Sequence, residues 1–282
     1  MAKTSRRWLL AASICFLVGC SIATGITDYC RSACRFQSYR AEQRVQYQAG
    51  AEAFARRVTE ELTPAVRTVE DAQLGRFAQP IRVYVCATQE SFGKMTGTAA
   101  KGVAYRGSIF LSPRLMVHPE EISSYLTHEL SHLFIQQHVG WYKALTIPSW
   151  FKEGLAVFVS KGGGAGDVTE KEAVASILSG RALEPKDSSD MLAFLFPAYG
   201  SRGSLEVHMF NRQASLFISF LKEYDARAFE NLLVRVQGGQ GFKRSFRQVY
   251  HMSASGMWRL FADRCQRALI VRAGFEKRQG HS

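Results

Sequence analysis

The sequence predicts an α+β fold, in which helices surround one short sheet and the C-terminal part is mainly helical. Segments 81–86 and 108–111 contain β-branched and aromatic residues and have the length of strands. From residue 119 onward, apolar residues recur at helical spacing between Pro and Gly signals. The 282 residues are 46% hydrophobic and 21% charged, which excludes disorder as the main state, because disordered chains are less hydrophobic and more charged. We expect one large or two small folded domains.

Residues 1–27 predict an export signal or a membrane anchor. A short basic start precedes an apolar run at 8–18, which is the arrangement of a signal sequence. Leu-Val-Gly-Cys at 17–20 resembles the bacterial lipobox, in which the cysteine, here Cys20, is lipidated. A cleaved soluble signal and an uncleaved anchor over 8–26 are the alternatives. All three export the rest of the chain to the periplasm or the membrane of a bacterial cell envelope, and the lipid or the helix makes the membrane a partner.

Four cysteines follow the signal region, at positions 30, 34, 86 and 265. An oxidising compartment allows them to pair, and the short spacing of Cys30 and Cys34 suits a local bridge. Cys86 and Cys265 would then join the first strand to the last helix, or remain two unpaired buried cysteines. No Cys-x-x-Cys occurs, so a cysteine-ligated zinc is not expected.

The chain is basic, with a formal net charge of +12. A basic surface outside the cytoplasm suits anionic lipid headgroups or acidic polymers. The positive residues are scattered as on solvated helix faces, and no recognisable nucleic-acid-binding module accompanies them. We therefore expect no nucleic-acid partner.

Residues 28–74 predict an N-terminal helical segment, ahead of a main domain at 75–270 and a polar tail at 271–282. Apolar residues recur at roughly helical spacing over 36–72 until Pro64 interrupts, which predicts one long helix and a shorter successor. The main domain is expected to contain the two strands and most of the helices. Those helices are predicted at 119–139, 148–160, 205–222, 226–237, 242–250 and 254–270.

Proline and glycine mark the ends of the first two helices in the main domain. Pro119 and Gly140 bound the first, and Pro148 starts the second. The glycine-rich segment 161–166 lacks the Gly-Lys-Ser/Thr ending of a phosphate-binding loop and is predicted to be a flexible connector. Asp167 and Glu170 then resemble a capping box at the start of the next helix.

The motif His-Glu-Leu-Ser-His at 128–132 predicts a metal site on the helix at 119–139. Residues four apart lie one turn above each other on a helix, so both imidazoles can reach one zinc ion at about 2.0–2.1 Å. Glu129 is rotated by about 100° from His128, beside the water that completes the coordination of the metal. That is the position of a general base.

Glu153 offers a third ligand, in the segment Pro-Ser-Trp-Phe-Lys-Glu-Gly-Leu-Ala at 148–156. The spacing from His132 suits a loop that folds the second helix back onto the first. Here the sequence resembles the gluzincin metallopeptidases, particularly the peptidase-MA-like group, in which a His-Glu-x-x-His helix precedes a Pro-x-Trp-x-x-Glu-Gly-x-Ala helix. The resemblance implies a zincin-like α+β domain with a small mixed sheet over 75–270, and Zn²⁺ held by His128, His132 and Glu153.

Bound zinc implies peptide-bond hydrolysis. The ion lowers the pKa of its bound water toward about 7, and Glu129 takes the water proton and later delivers it to the leaving amine. Strand 108–111 is expected to pair with an extended peptide or protein substrate. The family usually carries an oxyanion-stabilising Tyr at about Phe210, and His208 is the nearest catalytic substitute here.

Two departures from the family pattern leave a second function open. Phe210 cannot donate a hydrogen bond, and Val157 stands where many gluzincins have an acidic residue that orients a ligating histidine. The sequence predicts a zinc metallopeptidase of the envelope, with a catalytically weak or inactive peptidase-like binding or scaffold protein as the alternative. A third class, an envelope interaction protein with a structural His pair, predicts no stoichiometric metal.

Overall fold

A computed structural model describes residues 36–186 and 204–279. The strands are β1 (Phe36–Tyr39), β2 (Glu42–Gln48), β3 (Val83–Val85), β4 (Gly102–Tyr105) and β5 (Ser108–Leu111). The helices are α1 (Glu52–Ala72), α2 (Gln89–Thr96), α3 (Ile122–Val139), α4 (Trp141–Ala144), α5 (Ser149–Val159), α6 (Glu170–Leu178), α7 (Ser204–Tyr224), α8 (Ala226–Gln237), α9 (Phe242–Tyr250) and α10 (Ala254–Gln279). The predicted signal at 1–27 and the predicted Cys30–Cys34 bridge lie outside these residues.

The five strands form one mixed sheet in the order β1-β2-β3-β5-β4. The pairs β1–β2 and β4–β5 are antiparallel, and β2, β3 and β5 run parallel. The α+β class with a small mixed sheet is thereby confirmed. The expected role of strand 108–111 in pairing with a substrate is wrong, because this strand is β5 and has β3 and β4 on its two sides. Among the described residues, β4 forms this edge of the sheet.

The two faces of the sheet contact different layers of helices. Successive side chains of a strand point to opposite faces. Val83 and Ile109 therefore enter the main core, which they share with α1 and α3. Tyr84 and Phe110 stack on the other face, with ring centroids 4.9 Å apart, and pack with residues of α2. The helix that carries the His-Glu-x-x-His motif is thus seated directly on the sheet.

Residues 36–48 form a hairpin rather than the start of the predicted long helix. Val45 is the one fully buried residue in this segment, and it pairs with Val83 of β3. The hairpin therefore depends on a strand far away in sequence, which helical spacing cannot reveal. The helix α1 begins only at Glu52 and continues through Pro64. Pro64 is exposed, so water can satisfy the carbonyl group that loses its helical hydrogen bond.

The helices predicted from residue 119 onward are confirmed. α3 follows a short turn at Pro119 and ends at Gly140, and α10 extends beyond its predicted end into the segment 271–282. The capping box is formed by Thr169 and Glu172, two residues later than predicted. Val168, which precedes this cap, is buried and fixes where the chain enters α6. Of the helices within 36–186 and 204–279, none is long and apolar enough to span a bilayer.

Cys86 and Cys265 are free, so of the two alternatives the bridge is wrong and the unpaired cysteines are confirmed, with Cys86 buried and Cys265 half-buried. Cys86 is buried with Phe92 and Phe110 on the α2 face of the sheet, whereas Cys265 packs at the edge of the main core. The two thiols therefore lie in different hydrophobic layers. Burial raises the pKa of the Cys86 thiol to about 12, which makes it an inert core residue.

Candidate metal centre

Two helices bring His128, His132 and Glu153 together. The two histidines lie one turn apart on α3, and Glu153 lies on α5. One ligand atom from each residue lies within 4.8 Å of the other two. The two Nε2 atoms are 3.1 Å apart, and they lie 3.4 Å (His128) and 3.5 Å (His132) from Oε2 of Glu153. The structure thus assembles the three predicted ligands at one point.

These separations match the coordination sphere of zinc. Ligand atoms about 2.0–2.1 Å from a tetrahedral zinc ion lie about 3.3 Å from one another. Two imidazole nitrogens and one carboxylate oxygen leave a fourth position for water or substrate, as in catalytic zinc sites. Side-chain exposure rises from 6% for His128 to 15% for His132 and 32% for Glu153. The centre therefore opens to solvent on the side of Glu153.

The segment around Glu153 fixes α5 against α7. A Cβ atom at Gly154 would lie 2.7 Å from the carbonyl carbon and oxygen of Ala214. Trp150 packs on Phe217, with ring centroids 5.1 Å apart, and its indole N–H donates to the carbonyl oxygen of Lys186 at 2.9 Å. The Trp-x-x-Glu-Gly pattern therefore combines an aromatic core contact, a metal ligand and a close helix contact.

Glu129 lies between the metal centre and the edge strand β4. It is buried, and its Oε2 atom accepts a hydrogen bond from the backbone N–H of Ala104 at 2.7 Å. Gln136 donates from Nε2 to the carbonyl oxygen of Ala104 at 3.2 Å. A Cβ atom at Gly102 would lie 3.1 Å from Cγ of Glu129. Sequence reasoning did not find these backbone contacts, although Gly102 in a strand signals a close approach.

The electrostatics of the centre favour a cation. Burial raises the pKa of Glu129. Burial also opposes ionisation of Glu153, but His132 and His128 hold the pKa of that carboxyl well below its usual range. At His128, burial lowers the pKa, and the hydrogen bond to Glu153 and the charge of Glu129 outweigh this and raise it. Two acidic groups therefore draw positive charge into the site, and a metal ion supplies such charge directly.

A second contact to His128 comes from Lys161–Gly166, which we call the glycine loop. The carbonyl oxygen of Gly163 lies 2.8 Å from Nδ1 of His128, so this nitrogen donates while Nε2 faces the other ligands. A Cβ atom at Gly164 would lie 2.5 Å from Cε1 of the same ring. The prediction of a flexible connector is wrong, because the loop is packed against a ligand. Its Gly163 carbonyl group orients the His128 ring.

No known family model matches the chain. No curated protein matches it either. The function is therefore inferred from the geometry of the centre and from the two motifs that form it.

His208 does not belong to the group of possible metal ligands, which is His128, His132 and Glu153. It is half-buried on α7, and its ring packs against the glycine loop, where a Cβ atom at Gly166 would lie 2.3 Å from Nδ1 of His208. Its role as an oxyanion donor stays a prediction. Asn211, three residues further along α7, is buried, and its Nδ2 donates to the carbonyl oxygen of Gly164 at 2.8 Å. Sequence reasoning missed this residue, because its partner is 47 positions away.

Replacing Gly164 by Ala is expected to weaken the binding of zinc or another metal ion at this centre by about 10–100-fold, the usual cost of disturbing the partner of a ligand. The new methyl group would overlap the His128 ring and force either the ring or the loop to move. Gly180 is the matched control, because its φ of +80° equals the +81° of Gly164 within a degree and its Cβ position meets no atom within 4 Å. Competition with a chromophoric chelator measures the zinc affinity of both variants. Equal zinc affinity in the two would contradict the close contact.

Proposed function

We propose that the protein is a zinc-dependent metallopeptidase of the gluzincin type, with a zincin-like fold, that hydrolyses peptide bonds. The observation that carries the proposal is the spacing of 3.1–3.5 Å among the donor atoms of His128, His132 and Glu153. This is the spacing of ligands around one tetrahedral zinc ion. An ordinary structural His pair requires no carboxylate at the same point.

Zinc, when bound, supplies Lewis acidity, which lowers the pKa of a coordinated water to about 7 and polarises a carbonyl group. Glu129 carries out the proton transfers. It follows the ligand His128 directly on α3, where its buried carboxylate can take a proton from the attacking water and pass it to the leaving amine. The hydrogen bond from Ala104 N–H holds one carboxylate oxygen in place during this transfer.

The edge strand β4 is the proposed binding surface for an extended peptide. It lies beside Glu129 and is antiparallel to β5 on its other side. Main-chain hydrogen bonds to a strand edge bind peptides of varied sequence. Ala104 itself is not expected to pair with the substrate, because Glu129 and Gln136 already bond its N–H and its carbonyl oxygen. A peptide or protein substrate follows from this surface.

The proposed place of action is the bacterial cell envelope. The predicted signal at 1–27 supports this place, because its basic start and apolar run are typical of exported proteins. The same segment provides membrane attachment, through lipid at Cys20 or through an uncleaved helix, or is cleaved to give a soluble protein.

Elemental analysis of the full chain, purified in detergent without chelator, tests the metal centre. We expect one zinc per chain in the wild-type protein and loss of zinc in His128→Ala. His138→Ala is the matched control, because His138 also lies on α3 but its Nδ1 contacts the carbonyl oxygen of Phe134 instead, and it should keep the zinc. Folded wild-type protein without zinc would refute the proposal.

A catalytically weak or inactive binding protein is the second candidate. Val157 is buried where many gluzincins have an acidic residue, and Phe210 has no donor for an oxyanion. This candidate predicts the same zinc content as the enzyme and no turnover that depends on Glu129.

A further inference from the structure

We infer that Asn211 is a positioning residue, which sets the zinc affinity by fixing the glycine loop behind His128. This inference rests on the proposed zinc centre and names a residue of α7 that does not contact the metal. It acts through two backbone carbonyl groups, those of Gly163 and Gly164.

The tautomer of His128 decides which of its ring nitrogens can bind the metal. To bind zinc through Nε2, the ring must carry its proton on Nδ1, and the partner of Nδ1 decides this. That partner is the carbonyl oxygen of Gly163 at 2.8 Å. The direction of one loop peptide group therefore controls which nitrogen of His128 is available to the metal.

The position of the Gly163 carbonyl group depends in turn on the rigidity of the glycine loop. Four of its six residues are glycines, which lose more backbone freedom on ordering than any other residue. The glycines are needed, because the loop runs so close to α3 that a Cβ atom at Gly163 would lie 2.3 Å from the carbonyl oxygen of Ser124. Local hydrogen bonds fix part of this conformation, since the Ala165 N–H donates to the carbonyl oxygen of Gly162 at 3.1 Å and the Ser160 hydroxyl to that of Gly163 at 3.3 Å. Contacts from other elements add to these.

Asn211 supplies such a contact at the centre of the loop. Its Nδ2 donates to the carbonyl oxygen of Gly164, the next carbonyl after the one that holds His128. Its neighbour Arg212 donates from Nε to the carbonyl oxygen of Val168 at 2.7 Å, just beyond the loop. Both side chains belong to α7, which also packs on α5, so one helix fixes the loop and the helix of the third ligand.

The matched comparison is with Gln213, two residues along the same helix. It is also a buried amide, and it also holds a chain segment by hydrogen bonds, to the backbone N–H of Leu183 at 2.7 Å and the carbonyl oxygen of Arg181 at 3.0 Å. Neither hydrogen bond reaches the glycine loop or a metal ligand. A purely structural amide on α7 should therefore behave like Gln213, and a positioning residue should not.

The experiment measures the dissociation constant for zinc by chelator competition on the full chain, in wild type, Asn211→Ala, Asn211→Asp and Gln213→Ala. We expect the constant to rise about tenfold or more in both Asn211 variants and to stay within about twofold of wild type in Gln213→Ala. Thermal unfolding of the metal-free proteins is measured in parallel, since a general loss of stability would affect Gln213→Ala as well.

Asn211→Asp keeps the size of the side chain, which preserves packing if Asn211→Ala does not fold. The affinity of this variant is measured at a pH at which the buried carboxyl is ionised, because an ionised carboxylate cannot donate to the carbonyl oxygen of Gly164. Its negative charge alone would strengthen the binding of a cation, so weaker binding in this variant identifies the lost hydrogen bond as the cause. Wild-type affinity in Asn211→Asp would overturn the inference and leave the metal centre intact, whereas wild-type protein without zinc would refute the proposed function itself.

Discussion

Replacing Glu129 by Gln is expected to lower peptidase turnover by about 10²–10⁴-fold, the usual contribution of a general acid-base group, while zinc content is unchanged. Gln has the shape of Glu, and its carbonyl oxygen can accept the hydrogen bond from Ala104 N–H, so the edge strand keeps its place. The amide cannot take a proton from water. The measurement is the release of fluorescence from labelled casein, with zinc determined on the same samples.

The control for this variant is Glu120→Gln, which changes an exposed carboxylate just before α3. It should leave turnover as in wild type. If the wild-type protein binds zinc but has no turnover, or if Glu129→Gln is as active as wild type, the catalytic proposal is wrong. The binding or scaffold protein would then be the better interpretation. Loss of zinc in Glu129→Gln would also contradict the assigned role, because the carboxylate would then support the metal rather than the proton transfer.

The parts of the fold that the sequence predicts correctly depend on local signals. α3 has Pro119 before it and Gly140 after it, and both the helix and its ends follow from these residues. The spacing of four between His128 and His132 places two ligands on one helical face with no knowledge of the rest of the chain. The prediction of Glu153 as a ligand also requires two helices to fold against each other, which the Pro-x-Trp-x-x-Glu-Gly-x-Ala motif indicates.

The parts that the sequence does not reveal depend on partners far away in the chain. The apolar residues at 36–48 are spaced roughly as in a helix, but pairing with β3 makes this segment a β-hairpin. Glycines are common in connectors, so the sequence predicts a connector at the glycine loop. In the structure these glycines allow the backbone to approach His128 and Ser124. Close approach of backbone to side chain leaves no trace in hydrophobic periodicity, so such contacts become visible only in three dimensions.

Replacing Gly154 by Ala is expected to destabilise the protein by about 3 kcal/mol, the upper end of the usual cost of overpacking. The added methyl group would lie 2.7 Å from the main-chain carbonyl of Ala214 and 3.0 Å from its Cβ. Main-chain atoms inside a helix cannot turn aside as a flexible side chain does, so α5 and α7 must separate. The free energy of unfolding of the metal-free protein, from chemical denaturation, measures this cost.

Gly93→Ala is the matched control, since Gly93 also lies inside a helix, α2, but its Cβ position meets only the carbonyl oxygen of Thr98 at 3.8 Å. This variant should gain about 0.5–1 kcal/mol, because Ala loses less backbone freedom than Gly in a helix. The opposite signs separate helix propensity from packing. Because Glu153 precedes Gly154, a shift of α5 also moves a metal ligand, so zinc affinity should fall in Gly154→Ala and stay unchanged in Gly93→Ala. Wild-type stability in Gly154→Ala would show that α5 and α7 are not in close contact, and the position of the third ligand would lose its structural basis.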